Sequence, residues 1–128
     1  MNAQTHKVIV VVEDDEGMRS SLEFLLDSHG FRVAAFPRSE DMLAKLPQLD
    51  TGCAILDIHL PGKDGLAVYE QTALQRQSVP AIFITGQIDD RIRAESKRLK
   101  AVALLEKPFS EELLIQAVER ALHTSHAG

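Results

Sequence analysis

Cysteine and tryptophan are almost missing from this sequence of 128 residues, which contains one cysteine, Cys53, and no tryptophan. A single cysteine excludes an intrachain disulfide, and its neighbours in "CAILD" indicate a small buried side chain rather than a reactive thiol. No stretch approaches the roughly 18 apolar residues of a membrane span, and the N-terminal "MNAQTHK" lacks the apolar run of a signal peptide. We therefore expect a cytoplasmic protein with no membrane partner.

The sequence also lacks an excess of basic residues. Its formal net charge is -5 at pH 7, which argues against direct nucleic-acid binding by this domain, because such binding normally requires a basic face. The length suits one domain with a single core. We expect one domain over residues 1–128, with its core at about 7–122 and a loose tail at 123–128.

Five short apolar runs alternate with longer helical patterns along the chain. All but the second run are apolar at consecutive positions, as expected when both faces of a parallel sheet are covered. The pattern predicts an α/β fold with a doubly wound parallel sheet. The predicted strands lie at 7–12, 32–36, 53–58, 81–85 and 102–106.

The helical patterns carry start and stop signals. The first helix is expected to end at Gly30, since glycine tolerates positive φ. Ser39 is predicted to cap the second helix and Ser110 the last. The run "DGLAVYEQTALQ" predicts one continuous third helix, and a basic fourth helix is expected at roughly 88–99.

Unusual polar residues follow four of the predicted strands. In an open parallel sheet the ligand site lies beyond the carboxyl ends of the strands, so these side chains are expected to meet. They are Glu13, Asp14 and Asp15 after strand 1, Asp57 in strand 3, Thr85 in strand 4 and Lys107 after strand 5.

These residue types suit phosphoryl transfer to a carboxylate. Carboxylates from two strand ends form a hard oxygen site that favours Mg²⁺. Asp57 stands alone at the end of the central strand and is the candidate nucleophile toward phosphorus. Lys107 and Thr85 supply a cation and a hydroxyl donor for the equatorial oxygens of the transferred group.

Each feature has a simpler interpretation when it is taken alone. An acidic cluster is often a solvated helix start, because carboxylates favour that end of the helix dipole. Asp15 and Glu16 are expected to have only this role. Asp57 taken alone would be a capping residue at a strand end, and Lys107 a surface lysine.

Taken together, the motifs "VVEDDEGMR", "LDIHLPGKDG", "ITG" and "EKPF" resemble the receiver domain of two-component response regulators. The resemblance covers residues 7 to about 122. It implies a (βα)5, flavodoxin-like sandwich with strand order 2-1-3-4-5. It also implies a sensor histidine kinase, or a small phosphodonor, as the source of a phosphoryl group.

The resemblance assigns roles to individual residues. It makes Asp57 the phosphoacceptor and assigns Mg²⁺, with Mn²⁺ as an alternative, to Glu13, Asp14, Asp57 and the backbone carbonyl of His59. Thr85 becomes the switch hydroxyl and Lys107 the phosphate-binding lysine. The bond between Lys107 and Pro108 is expected to be cis.

The resemblance also indicates two residues that affect the rate of dephosphorylation and two positions at which this chain differs from the family pattern. His59 and Gln87 lie where the family tunes attack of water on the phosphoryl group. Glu13 replaces the commoner aspartate, and the added methylene favours a water-mediated metal contact. Leu104 stands where tyrosine or phenylalanine is usual, so Thr85 moves without that aromatic ring or couples to another side chain.

The expected function is a phosphorylation-dependent switch that acts through the face formed by helix 4, strand 5 and helix 5, as a homodimer or toward a protein target. It catalyses only its own phosphorylation and dephosphorylation. Two alternatives stay open at this point: a Mg²⁺-dependent phosphohydrolase that forms an aspartyl phosphate, and a binding module that works without phosphorylation. A stand-alone receiver and a part of a DNA-binding regulator are both compatible with the sequence.

Overall fold

A five-stranded parallel sheet forms the centre of the computed structural model, which describes residues 7–127, with side chains described as far as residue 123. The strands are β1 (Val8–Val12), β2 (Arg32–Phe36), β3 (Thr51–Asp57), β4 (His59–Leu60), β5 (Lys63–Asp64), β6 (Ala81–Thr85) and β7 (Ala103–Glu106). The helices are α1 (Glu16–Ser28), α2 (Ser39–Lys45), α3 (Gly65–Glu70), α4 (Ala73–Arg76), α5 (Asp90–Arg98) and α6 (Glu111–Ala127), and a 3₁₀ turn (Leu46–Gln48) follows α2.

The order of the strands across the sheet is β2-β1-β3-β6-β7, and all pairs are parallel. Because β6 and β7 are the fourth and fifth predicted strands, this is the order 2-1-3-4-5, and the predicted fold is confirmed. The register pairs Val12 with Leu56 and Asp57 with Ile84. The carboxyl ends of β1, β3 and β6 therefore lie at one edge of the sheet.

Two apolar cores cover the two faces of the sheet. Successive residues of each strand point to opposite faces, so Val10 belongs to one core and Val11 to the other. Helices α2 to α5 pack on the first face and helices α1 and α6 on the second. Burial on both sides explains why the strands are apolar at consecutive positions.

The helix signals are confirmed at three ends. Asp15 caps α1, because its side chain accepts a hydrogen bond from the Met18 N–H at 2.8 Å. Gly30 follows the same helix with a φ of 87°, in the left-handed region that favours glycine. Ser110 caps α6 through the Leu113 N–H at 3.1 Å.

Two helix predictions are wrong. Ser39 does not cap α2: Arg38 holds the N-cap position without a side-chain hydrogen bond, and Ser39 is the first helical residue and is buried. The third helix is not continuous but divides into α3 and α4. Thr72 caps α4, because its hydroxyl accepts from the Leu74 N–H and donates to the Val68 carbonyl, which ends the first piece.

Other elements differ in extent from their predictions. The fourth predicted helix, α5, begins at Asp90 and is capped by Asp89. Strands β4 and β5 form a short antiparallel hairpin that the apolar pattern did not indicate. Helix α6 continues to Ala127, into the segment expected to be a loose tail. None of the described helices is long and apolar enough to cross a membrane.

Gly65 lies against the end of β3, where the backbone leaves no room for a side chain. A Cβ at this position would overlap the Asp57 carbonyl oxygen and approach the Ile58 Cα at 2.9 Å. The Gly65 N–H donates to the Ile58 carbonyl at 2.7 Å, which closes the loop behind Asp57. Glycine at this position therefore sets the path of the chain beside the polar edge.

We predict that Gly65→Ala lowers the free energy of unfolding by about 1–3 kcal/mol, because the methyl group meets backbone that cannot yield. Gly17→Ala in α1 is the matched control, since a Cβ there meets only the Asp15 side chain, at 3.5 Å. Alanine favours helices over glycine by about 1 kcal/mol, so the control is expected to be neutral or more stable. Urea unfolding measures both, and equal effects at the two sites would contradict the prediction.

Candidate functional site

Three carboxylates converge at the carboxyl edge of the sheet. Glu13 and Asp14 follow β1, and Asp57 ends the central strand β3. One oxygen from each of the three lies within 4.8 Å of the other two. Glu13 and Asp57 are buried, with 0% and 4% of their surface exposed, whereas Asp14 is exposed. The predicted acidic cluster is therefore a pocket formed by two buried carboxylates, and its third carboxylate, Asp14, faces solvent.

Lys107 joins the two buried carboxylates. Its Nζ donates to Glu13 Oε1 at 2.8 Å and to Asp57 Oδ2 at 3.0 Å. The chain reaches this position directly after β7, and the Lys107 N–H donates to the Thr85 carbonyl at 2.7 Å. The ammonium group thus offsets the repulsion between carboxylates that burial brings close together.

The remaining oxygens of these carboxylates accept hydrogen bonds from the backbone. The His59 N–H donates to Asp57 Oδ1 at 3.0 Å, and the Asp15 N–H donates to Glu13 Oε2 at 3.1 Å. Each oxygen of Glu13 and Asp57 therefore has a donor. These hydrogen bonds fix the rotamers of both side chains, so the pocket is ordered before any ligand enters.

The electrostatics of the pocket follow from burial. Burial raises the pKa of Glu13, and the hydrogen bonds from Lys107 and Asp15 only partly offset this. Burial lowers the pKa of Lys107, but its hydrogen bonds to Glu13 and Asp57 outweigh that effect and leave the pKa above its usual value. Lys107 is therefore a permanent cation at neutral pH, and the pocket favours a further positive charge near Glu13.

Thr85 is fully buried at the end of β6, next to β3 in the sheet. Its hydroxyl donates to the Gln87 carbonyl at 3.2 Å and accepts from the Gln87 N–H at 3.3 Å. The hydrogen bonds of this hydroxyl are therefore made within its own loop, not to the carboxylates. The loop leads directly into α5, whose cap is Asp89.

Arg19 holds the backbone that carries Glu13 and Asp14. Its guanidinium donates to the Glu13 carbonyl at 3.0 Å and to the Asp14 carbonyl at 3.4 Å. The sequence indicates Arg19 only as a residue of the first helix, and its structural role was missed. Its position near the start of α1, five residues after Asp14, is the signal that points it back toward the strand end.

The other predicted site residues lie around the pocket. His59 and Gln87 are exposed in the segments that follow Asp57 and Thr85, and Leu104 is partly buried against the core on which α5 packs. The Lys107–Pro108 peptide bond is cis, as predicted. The roles assigned to His59, Gln87 and Leu104 stay predictions.

The donor set of the pocket fits a hard divalent cation. Its three converging side chains offer only carboxylate oxygens, the ligands that Mg²⁺ takes in proteins together with water and phosphate oxygens. Asp14 is the exposed member and leaves the side toward solvent accessible. The cluster lies at the carboxyl ends of the strands, which is where doubly wound α/β domains, the class to which this fold belongs, place their ligand sites.

The family model for the response regulator receiver domain matches residues 9–119. The chain belongs to this family and is a receiver domain of a two-component signalling system. Its acidic pocket is typical of the metal site of receiver domains and is consistent with phosphorylation of an aspartate. The family consists of signalling domains rather than conventional enzymes, and membership implies a histidine kinase as partner.

Similar proteins support this assignment. The chain is 40% identical over 114 residues to the transcriptional regulatory protein FixJ of Bradyrhizobium diazoefficiens, a match that covers 89% of this chain and 56% of that protein. It is 39% identical over 119 residues to nodulation protein W of the same species, with 93% and 52% covered. The chain thus spans about half the length of the curated relatives it matches.

A solved structure agrees with the fold. Full-length FixJ from B. japonicum superposes with a TM-score of 0.83 at 38% identity, over 93% of this chain and 59% of that one. The likeness in sequence and the likeness in fold therefore both extend over most of this chain.

We predict that Asp14→Asn weakens Mg²⁺ binding by at least about tenfold, because the metal loses an anionic ligand. Asp15→Asn is the matched control. Asp15 caps α1 through Met18, and asparagine caps helices as well as aspartate does, so we expect a change below about twofold. Isothermal titration calorimetry with MgCl₂ measures both dissociation constants. A larger loss for Asp15→Asn would show that Asp15, not Asp14, is the ligand.

Proposed function

We propose that Asp57 is the phosphoacceptor of this receiver domain and that its phosphorylation switches the surface formed by α5, β7 and α6. The observation that carries the proposal is the position of the Asp57 carboxylate. It is buried at the end of the central strand, 3.0 Å from the Lys107 ammonium and inside the acidic cluster. A nucleophilic carboxylate, a fixed cation and a metal-binding set of oxygens are the parts that phosphoryl transfer requires.

Asp57 suits the nucleophilic role better than its two neighbours. Glu13 is the most deeply buried of the three, with 0% of its surface exposed against 4% for Asp57. Asp14 is exposed at the rim. Asp57 ends the strand that lies between β1 and β6, where a phosphoryl group on its carboxylate would be within reach of residues from both neighbouring strands.

The proposed transfer of the phosphoryl group is a substitution at phosphorus. One carboxylate oxygen of Asp57 bonds to phosphorus as the P–N bond to the kinase histidine breaks. The electron pair of that bond returns to the imidazole nitrogen, and the ring leaves as neutral histidine because its other nitrogen carries a proton. With a small donor such as acetyl phosphate, the P–O bond breaks instead and acetate leaves.

We infer that Mg²⁺, or Mn²⁺ in its place, is held by Asp14, Asp57 and the backbone carbonyl of His59, with Glu13 acting through water. When bound, the ion neutralises negative charge on the phosphoryl oxygens. Lys107 would neutralise a further part of that charge. Its ammonium group has three donors, and two of them are already directed at Glu13 and Asp57.

The switch is proposed to start at Thr85. A phosphoryl group on Asp57 offers the Thr85 hydroxyl a charged acceptor in place of the Gln87 carbonyl, and charged hydrogen bonds are the stronger ones. Movement of Thr85 displaces the loop that leads into α5. Because Leu104 replaces the usual aromatic residue, we propose that this loop itself, rather than a ring in β7, carries the change to α5.

Two ion pairs join helix α5 to β5 and to α3. Arg98 makes a bidentate ion pair with Glu70 of α3, at 2.8 and 2.9 Å, and Arg91 pairs with Asp64 at 3.4 Å. The Arg91–Asp64 pair is a single exposed contact, and such pairs contribute little stability. It can therefore be exchanged at small cost when phosphorylation shifts the equilibrium, while the bidentate Arg98–Glu70 pair holds the other end of the helix. We propose the resulting surface as a homodimer or protein-target face.

Several curated relatives, FixJ among them, are named as transcriptional regulatory proteins, which supports control of gene expression as the output of the pathway. We propose that this domain itself binds neither nucleic acid nor a membrane and works in the cytoplasm beside its kinase. His59 and Gln87 are proposed to tune the attack of water that removes the phosphoryl group, since both are exposed next to the pocket.

Incubation with Mg²⁺ and acetyl phosphate is predicted to add about 80 Da, one phosphoryl group, to the protein. Asp57→Asn should abolish the gain, and intact-mass spectrometry measures it. A gain that survives Asp57→Asn would assign another acceptor, and no gain with any donor would favour a module that works without phosphorylation. Sustained turnover of a chromogenic phosphomonoester would favour the phosphohydrolase.

Phosphorylation is predicted to change hydrogen exchange in residues 86–99, and Thr85→Ala should remove that change while Asp57 is still phosphorylated. Thr51→Ala is the matched control at the opposite end of the sheet, because the Thr51 hydroxyl has no hydrogen-bond partner among the described residues. Mass spectrometry measures the amide hydrogen exchange of residues 86–99, with and without phosphorylation, in the unmodified chain and in both variants. An unchanged response in Thr85→Ala would contradict the proposed start of the switch.

A further inference from the structure

Glu13 occupies a position where the family resemblance implies aspartate, and its contacts differ from those of a simple metal ligand. Its side chain is 1% exposed. Oε1 accepts from Lys107 at 2.8 Å, a shorter hydrogen bond than the one between Lys107 and Asp57. Oε2 accepts from the Asp15 N–H. Both oxygens are therefore directed at the protein.

The length of Glu13 makes the contact with Lys107 possible. An aspartate is shorter by one C–C bond, about 1.5 Å, which would leave its oxygen beyond hydrogen-bond distance from a lysine in the same place. The backbone cannot move to compensate. The Glu13 N–H donates to the Phe36 carbonyl at 3.1 Å, and its carbonyl accepts from Arg19 at 3.0 Å.

The two carboxylates that hold Lys107 change differently during the reaction. Phosphorylation turns one oxygen of Asp57 into part of an acyl phosphate, which weakens that carboxylate as an acceptor. Glu13 keeps its oxygens and remains a partner for the ammonium group. The third donor of Lys107 is then free for a phosphoryl oxygen while Glu13 keeps the side chain in the pocket.

We infer that Glu13 is a positioning residue that holds Lys107 on the reacting group, so that shortening its side chain slows phosphorylation through Lys107, while its contact with the metal, made through water, leaves the affinity for the metal unchanged. The inference rests on the proposed function, since it assumes phosphorylation of Asp57. It adds a specific role to a residue that the family resemblance assigns to the metal.

A double-mutant cycle tests the inference. Glu13→Asp, Lys107→Met and the double variant are phosphorylated with acetyl phosphate at saturating Mg²⁺, and initial rates are followed by intact mass. We expect Glu13→Asp to slow the reaction about tenfold when Lys107 is present, because a small misplacement of a catalytic group is costly. In the K107M background we expect Glu13→Asp to lower the initial rate by less than about twofold, because the effects of two substitutions are not additive when the two residues interact.

The affinity for Mg²⁺ provides a readout separate from the rate. Calorimetric titration should give a dissociation constant for Glu13→Asp within about twofold of the unmodified chain, since Asp14 and Asp57 are unchanged. Glu16→Asp is the matched control, because it removes the same methylene from an exposed glutamate in the first turn of α1. This control should alter neither the rate nor the affinity.

Equal rate losses in the two backgrounds, or a loss of Mg²⁺ affinity that matches the rate loss, would overturn the inference. Thermal unfolding followed by circular dichroism checks that each variant is folded. If Glu13→Asp does not fold, Glu13→Ala, which also removes the acceptor of the Lys107 ammonium group, enters the same cycle, and the difference between its rate losses in the two backgrounds is the criterion. Failure of the unmodified chain to be phosphorylated on Asp57 would overturn the proposed function instead, so the two failures are distinguishable.

Discussion

The ammonium group of Lys107 is the element on which the rest of the site depends. It bridges two carboxylates that come from different strands and that their like charge would drive apart in a buried site. The hydrogen bonds of Lys107 join the carboxyl ends of β1, β3 and β7 in one network. The network orients the Asp57 carboxylate, the acceptor that we propose, and preorganised groups of this kind stabilise the transition state of a transfer reaction.

The two apolar cores make this arrangement possible. A sheet covered on both faces fixes the register of its strands, and the register decides which residues meet at the carboxyl edge. Val12 and Leu56 are paired and fully buried, so the residues that follow them emerge together. Gly65 lets the next segment pass directly behind Asp57. The polar pocket is thus positioned by packing beneath it.

Sequence patterns predicted much of this structure and missed what depends on side-chain length and local hydrogen bonds. Consecutive apolar residues identified four of the five strands, and the rule that ligand sites lie at the carboxyl ends of parallel strands correctly placed Asp57 and Lys107 together. The bridge from Lys107 to Glu13 was missed, because it requires the length of glutamate and a rigid backbone at once. The break before α4 was missed because the Thr72 hydroxyl competes for backbone groups in a stretch whose apolar periodicity continues.

A crystal structure with Mg²⁺ and beryllofluoride, an analogue of the phosphoryl group, would test the central claim most directly. We predict the analogue on a carboxylate oxygen of Asp57, with Lys107 touching a fluoride while still bonded to Glu13. We also predict that the Thr85 hydroxyl has left Gln87 for the analogue. An analogue bound to another residue, or a Lys107 that has separated from Glu13, would contradict this mechanism.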